Sequence, residues 1–279
     1  MKRFLLFLGM VPLFVLPARA DTIRWVEFNV PYESLKYAME QDIATFEEET
    51  HISWIDALAL AACRTGGKCG LSFVKDAVKD LKADGGLLEN RPKYFNYYHE
   101  AYSAVLGGLL GSYAIEKDGV WVPTYGLKAF SPIASGFYYS HCDDFGADRS
   151  FDSKRYWYYA HLQKDAPFAP GLAEGDLVLP GQVLGFMGRT GYSDTENVNN
   201  IEIVHLHLGL QLIFEESQKE CDSEIWVDVY DLVKLLHAHR ASYEKTADGW
   251  RRLYPFVDLD EEYFMPGLLP EPLDDLPSR

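Results

Sequence analysis

The sequence predicts an α+β protein: an N-terminal helical region, then an antiparallel β-sheet domain, then a C-terminal helix. Three observations carry this. Between residues 30 and 113 the apolar positions recur at helix spacing. From Gly119 to Phe214 glycine, proline and alternating aromatics dominate, which is the pattern of strands joined by tight turns. From Glu224 to His239 the helical period returns.

Taken in order, residues 1–20 read as a signal peptide. Lys2 and Arg3 are a positive start, Phe4 to Leu16 is apolar apart from Gly9 and Pro12, and Ala18-Arg19-Ala20 offers a cleavage site, so the mature chain is expected to begin at Asp21. That apolar run is shorter than the ~20 residues a membrane-spanning helix needs, so no stable membrane anchor is expected after cleavage. The protein is expected to be exported, to a periplasm or the extracellular space.

Residues 21–115 form the helical region. Pro31 to Glu48 carries Leu35, Ala38, Met39, Ile43 and Phe46 on one face; Trp54 to Ala62 follows until Gly66-Gly67 interrupts it. Phe73 to Leu81 ends at Asp84-Gly85-Gly86, and Tyr94 to Leu110 is a tyrosine-rich fourth helix. Residues 116–216 are the β domain. Residues 217–245 are the C-terminal helix, with Ile225, Val229, Leu232, Val233 and Leu236 on one face. Residues 246–279 read as an acidic, proline-rich tail, extended or without fixed structure from Asp258.

Charge and cysteine content narrow the setting. The formal charge of −16 becomes −19 when cleavage removes Lys2, Arg3 and Arg19. Nucleic acid and anionic membrane surfaces repel such a chain, so no nucleic-acid partner is expected. Four cysteines (Cys63, Cys69, Cys142, Cys221) in an exported protein suggest two disulfides. Cys63 with Cys69 would close a small loop and leave Cys142 with Cys221, although three pairings are open.

The chemistry concentrates between residues 155 and 214. In Val204-His205-Leu206-His207-Leu208-Gly209-Leu210-Gln211-Leu212 the aliphatic residues fall on every second position. On a strand, His205 and His207 therefore share a face and can serve one metal centre. The chain carries its own control in His237-Ala238-His239. That pair sits on a predicted helix, where positions two apart diverge by about 200°, so it is expected to be a solvated helix end. Upstream, Arg155-Tyr-Trp-Tyr-Tyr-Ala-His161-Leu162 is an aromatic strand ending in a third histidine. Between them runs Gly175-Asp-Leu-Val-Leu-Pro-Gly181-Gln-Val-Leu-Gly185-Phe-Met-Gly188-Arg-Thr190-Gly191, which reads as two short strands about a Pro-Gly turn, closed by a glycine-rich turn.

The order Tyr-Ala-His-Leu, Gly-Asp-x-Val with Pro-Gly-Gln-Val-Leu-Gly, Gly-x-Thr-Gly and His-Leu-His resembles the lysostaphin/LytM-type (beta-lytic) zinc metallopeptidases over roughly 60 residues. A longer loop, Tyr192 to Ile203, is the departure within the match. The resemblance implies a peptidase-like β domain, a peptidoglycan-peptide substrate and a Zn2+ cofactor. It makes His207 the metal ligand and His161 and His205 the catalytic histidines that orient the zinc-bound water.

The family's first zinc motif, His-x-x-x-Asp, belongs about fifty residues before His161. Of the eight histidines only His161 has an aspartate four positions on, Asp165, and His161 already fills the Tyr-Ala-His-Leu position. His99-Glu100 lacks the second histidine of a His-Glu-x-x-His site, since Ser103 stands there; His99 reads as a helix-surface or packing residue. His141-Cys142-Asp143-Asp144 reads as a polar turn. The β domain is therefore expected to be incomplete, with a segment lost near Arg149-Ser150-Phe151-Asp152. Three functional readings are open. The first is a zinc endopeptidase acting on the cell wall. The second is a catalytically degenerate homologue that binds wall peptides or regulates another hydrolase. The third is a damaged product whose sheet edges are left open.

Overall fold

The helices form where the apolar spacing places them, and what ends them is local. In the computed structural model, residues 27–86, 88, 91–135, 147–149, 155–214, 217–218, 223–247 and 249–260 are described. Helix α1 spans Tyr32–Thr45, α2 Trp54–Thr65, α3 Leu71–Ala83 and α4 Phe95–Leu106. The centre of the bundle is α2. Its residues Ala57 through Ala62 are all buried, and it packs against α1, α3 and α4. A helix apolar on every side belongs in such a position. Ser53 caps its start by accepting from Asp56 N, and Gly66 ends it in the left-handed region at φ 65°.

Asp42 fastens this bundle to the sheet region. Its carboxylate is buried and accepts hydrogen bonds from Trp54 N, His51 Nε2 and Tyr125 Oη, each at 2.8 Å. Three donors from separate segments offset the desolvation of one charge.

Two of the expected elements change identity. The tyrosine-rich helix stops at Leu106, and Leu110 opens a strand. Gly107 permits the break: a side chain there would stand 2.6 Å from the Ser103 carbonyl. Strand β1 (Leu110–Lys117) turns through Asp118-Gly119, both at positive φ, into β2 (Val120–Leu127). The second sheet holds β3 (Ala147–Arg149), β4 (Arg155–Ala160), β5 (His207–Leu212) and β6 (Ile225–Val227) in that spatial order, every pairing antiparallel. Thus the front of the expected C-terminal helix is a strand, and α5 is only Tyr230–His237. Ile225 and Val227 alternate inward beside β5, and three residues are too few for periodicity to reveal a strand. Among the described residues both edge strands of this sheet are three residues long, a length that limits edge pairing.

The chain then forms a hairpin, β7 (Tyr243–Thr246) with β8 (Gly249–Arg252), and β9 (Phe256–Asp258) joins β1. The segment read as the start of a loose tail is therefore paired. Lys128, itself buried, holds it by donating to Asp258 at 2.8 Å and Asp260 at 2.5 Å.

The expected Cys63–Cys69 disulfide does not form: both are free thiols. Cys69 lies in the helical core with Sγ 3.4 Å from Leu58 O and from Tyr102 Oη. Burial pushes its thiol up to about 11, so the thiolate that would start disulfide exchange is scarce. Cys142 and Cys221 lie outside the described residues, as do the expected signal peptide, His141 and Ser150.

Helices and sheet share one core. Leu210 and Leu212 of β5, Ile225 and Val227 of β6, and Leu232, Leu235 and Leu236 of α5 pack into the same cluster as α2 and α4. Arg155 at the start of β4 adds a polar tie, donating to the carbonyls of Val105 (2.9 Å) and Gly107 (2.6 Å) at the end of α4. Cationic nitrogens at a helix C-terminus satisfy carbonyls that the helix cannot.

Candidate metal centre

The sheet register brings the histidines together. Antiparallel pairing sets Ala160 opposite His207, so His161, one residue beyond β4, comes up beside the first residue of β5. His161 Nε2 lies 2.5 Å from His207 Nδ1. His205 stands ahead of β5, fixed by an isolated bridge to Gly188, and its ring centroid is 4.8 Å from that of His161. One ring nitrogen of each histidine lies within 4.8 Å of the others. His161 and His207 are buried and His205 is half-buried.

The glycine-rich turn acts as a saddle for His161. Gly188 N donates to His161 O at 2.7 Å, while a side chain at 188 would collide with the Leu162 carbonyl and Gln163. The Thr190 carbonyl lies 2.6 Å from His161 Nδ1, and the Thr190 hydroxyl donates to Leu162 O at 2.8 Å. Gly191 adopts φ 115°, and a Cβ there would stand 2.7 Å from His161 Nδ1. Only glycine meets both demands. His161 itself sits in the left-handed region at φ 57°, a conformation a histidine adopts at some cost.

These bonds also fix the tautomers. A carbonyl oxygen only accepts, so His161 Nδ1 carries its proton toward Thr190, and Nε2 turns its lone pair into the cluster. His205 Nδ1 lies 2.9 Å from the Ile203 carbonyl, which assigns its Nε2 the same role. The long loop is tied down beside them. Asp165 N donates to Asn197 Oδ1 (3.0 Å), Asn197 Nδ2 returns a bond to Asp165 Oδ1 (2.6 Å), and Asn200 Nδ2 donates to Tyr192 O. Tyr192 leans over His161 with ring centroids 5.4 Å apart. Tyr192 is exposed, as are Ile203 and Val204, which immediately precede His205 in the chain.

Several expectations resolve differently. The two short strands between residues 175 and 191 are a loop stitched by isolated bridges, Leu162 to Met187 and Phe168 to Gly185. The strand of the histidine pair starts at His207, so a bridge to Gly188 and not strand alternation places His205. Asp165 stays with Asn197 at the surface, outside the histidine group. Among the described residues no carboxylate or thiolate joins the three imidazoles. The stretch fifty residues before His161 is β1, which belongs to the other sheet. His99 is a packing residue on α4, 3.3 Å from Asp56 and stacked on Phe95. His239 is no solvated helix end: it stacks on Phe130, and its Nδ1 lies 2.7 Å from Ala129 O. Sequence reasoning missed Thr190, Asn197 and Tyr192. The Gly-x-Thr-Gly pattern marked Thr190 only as part of a turn; its carbonyl, which any residue possesses, orients His161, and its hydroxyl ties Leu162 O.

No protein-family model matches this chain, nor does any curated protein. A crystal structure from Ruminococcus gnavus ATCC 29149, described as that of a candidate glycyl-glycine endopeptidase LytM, is similar at 18% identity. The likeness covers 79% of this chain and 92% of that one with a TM-score of 0.45, a degree that says nothing of activity.

The donor set fits zinc. Neutral imidazoles are good zinc ligands, and two of these three have their second nitrogen held by a backbone carbonyl, as metal-bound histidines usually do.

Proposed function

We propose that this chain is an exported zinc hydrolase of the peptidase type that acts on the peptide part of peptidoglycan. The observation that carries the reading is the convergence of His161, His205 and His207. Three motifs that resemble the lysostaphin-type pattern each have a physical task at that point. The aromatic strand delivers His161, the Gly-x-Thr-Gly turn seats it, and the His-Leu-His segment supplies the other two rings.

In this reading His207 holds the metal. Zinc, when bound, lowers the pKa of a coordinated water toward 7 and polarises the scissile carbonyl. His161 Nε2 and His205 Nε2, with lone pairs directed inward, accept the proton of an attacking water and return it to the leaving amine. The exposed Tyr192, Ile203 and Val204 take up the side chains of an extended peptide and keep bulk water away from the reacting carbonyl. Export is inferred from the N-terminal segment, with cleavage before Asp21; among the described residues no helix is long and apolar enough to cross a membrane.

A second reading, a degenerate homologue that binds wall peptides without cutting them, is favoured by the lack of any carboxylate ligand among the described residues. The test is the mature chain incubated with dye-labelled insoluble peptidoglycan, with and without a chelator. Chelator-sensitive dye release supports the hydrolase. Sedimentation with peptidoglycan and no release, in protein carrying one zinc per chain, rejects it for the second reading.

A further inference from the structure

We propose that His161, His205 and His207 are all ligands, so that this chain carries a three-imidazole divalent-metal site and not a site in which His207 alone of the three binds. The inference rests on the reading of the cluster as a metal centre and changes its ligand set. Two nitrogens bound to one tetrahedral zinc stand about 3.4 Å apart, given bonds of ~2.0–2.1 Å. The separations here, from 2.5 Å to at most 4.8 Å, lie on either side of that value. No pair needs to change by more than about 1.4 Å to reach it.

The orientation of the rings supports the same assignment. Both His161 and His205 give their Nδ1 proton to a backbone carbonyl and turn Nε2 into the cluster, where His161 Nε2 meets His207 Nδ1. That is the outer-shell arrangement that aims an imidazole at a metal. The backbone around His161 is built for this placement: a positive φ at the histidine, no room for a side chain at Gly188 and none at Gly191. Three imidazoles make a complete set for a catalytic-type zinc, leaving the fourth position for water. No His-x-x-x-Asp segment is then required.

The experiment uses the mature full-length chain, stripped with chelator and reloaded with Zn2+ or Co2+. Metal per chain is measured, affinity is read by competition with a chromophoric chelator, and the Co2+ form is examined by proton NMR. Expected are one metal per chain and three solvent-exchangeable, hyperfine-shifted imidazole N–H signals. Expected too are losses of more than 100-fold in affinity for His161→Asn and for His205→Gln, beyond the 10–100-fold typical of outer-shell residues. Thermal unfolding of the metal-free variants checks that each still folds. A single shifted signal, or affinity within tenfold of the parent in either variant, overturns the proposal and returns those histidines to proton transfer. Dye release by a protein with a single signal would leave the hydrolase reading standing. Three signals without release would remove that reading and leave this site intact.

Discussion

Residues 32–106 and residues 161–205 are held in shape by different physics. In the first stretch four helices bury Leu35, Leu58, Val74, Phe95 and Tyr102 almost completely, and many contacts share the task. In the second, isolated bridges replace strand ladders, glycines take positive φ, and Tyr192, Ile203 and Val204 face outward. Individual hydrogen bonds to backbone carbonyls fix the shape there. A packed core tolerates small errors by spreading them, whereas a saddle of single bonds transmits each error to the ring it holds. The difference separates what the molecule uses to stay folded from what it uses to place three imidazoles.

The sharpest break in this comparison comes from paired substitutions. His207→Ala is expected to abolish metal uptake and any chelator-sensitive hydrolysis, with little change in thermal stability when both proteins are compared metal-free; metal analysis alongside calorimetry checks this. Asp42→Ala is expected to do the reverse. It strands the three donors that now meet one buried carboxylate and costs about 3–5 kcal/mol, read by urea titration, while the stripped and reloaded protein still takes up metal. Gly191→Ala lies between them. Its φ of 115° and the 2.7 Å approach to His161 Nδ1 predict a local cost of about 1–3 kcal/mol and a weakened metal site in a protein that still folds. If Gly191→Ala bound metal as the parent does, the saddle would not be what positions His161.

The smallest effect expected is a pH dependence outside both regions. Burial against Phe130 lowers the His239 pKa from its usual 6.5, so the fold favours the neutral ring. Stability from this residue is full above pH 6.5 and declines as pH falls from there through the lower folded value. His239→Gln should flatten that part of the stability curve.

The helices were legible because α2 and α3 repeat their apolar positions over three turns and Gly66 stops α2 with its own conformation. The strand at Leu110 and the short β6 were not, since an aliphatic run of a few residues fits either period. The histidine pair was legible as chemistry, but its geometry was not. His205 is placed by a backbone bridge to Gly188 and His161 by the Thr190 carbonyl, and main-chain groups leave no trace in residue identity. The even cysteine count misled because pairing depends on what surrounds each thiol, and Cys69 sits under Tyr102.

The left-handed backbone at His161 sets stability and chemistry against each other. Glycine or asparagine would adopt φ 57° more readily than histidine, easing a cost of about 1–2 kcal/mol. Selection for folding alone would weigh that backbone cost against the burial of the ring and its bonds to Thr190 O and His207 Nδ1. Any thermostability gain that maps to position 161 would then sacrifice the metal site: relief of the backbone comes only with loss of the imidazole.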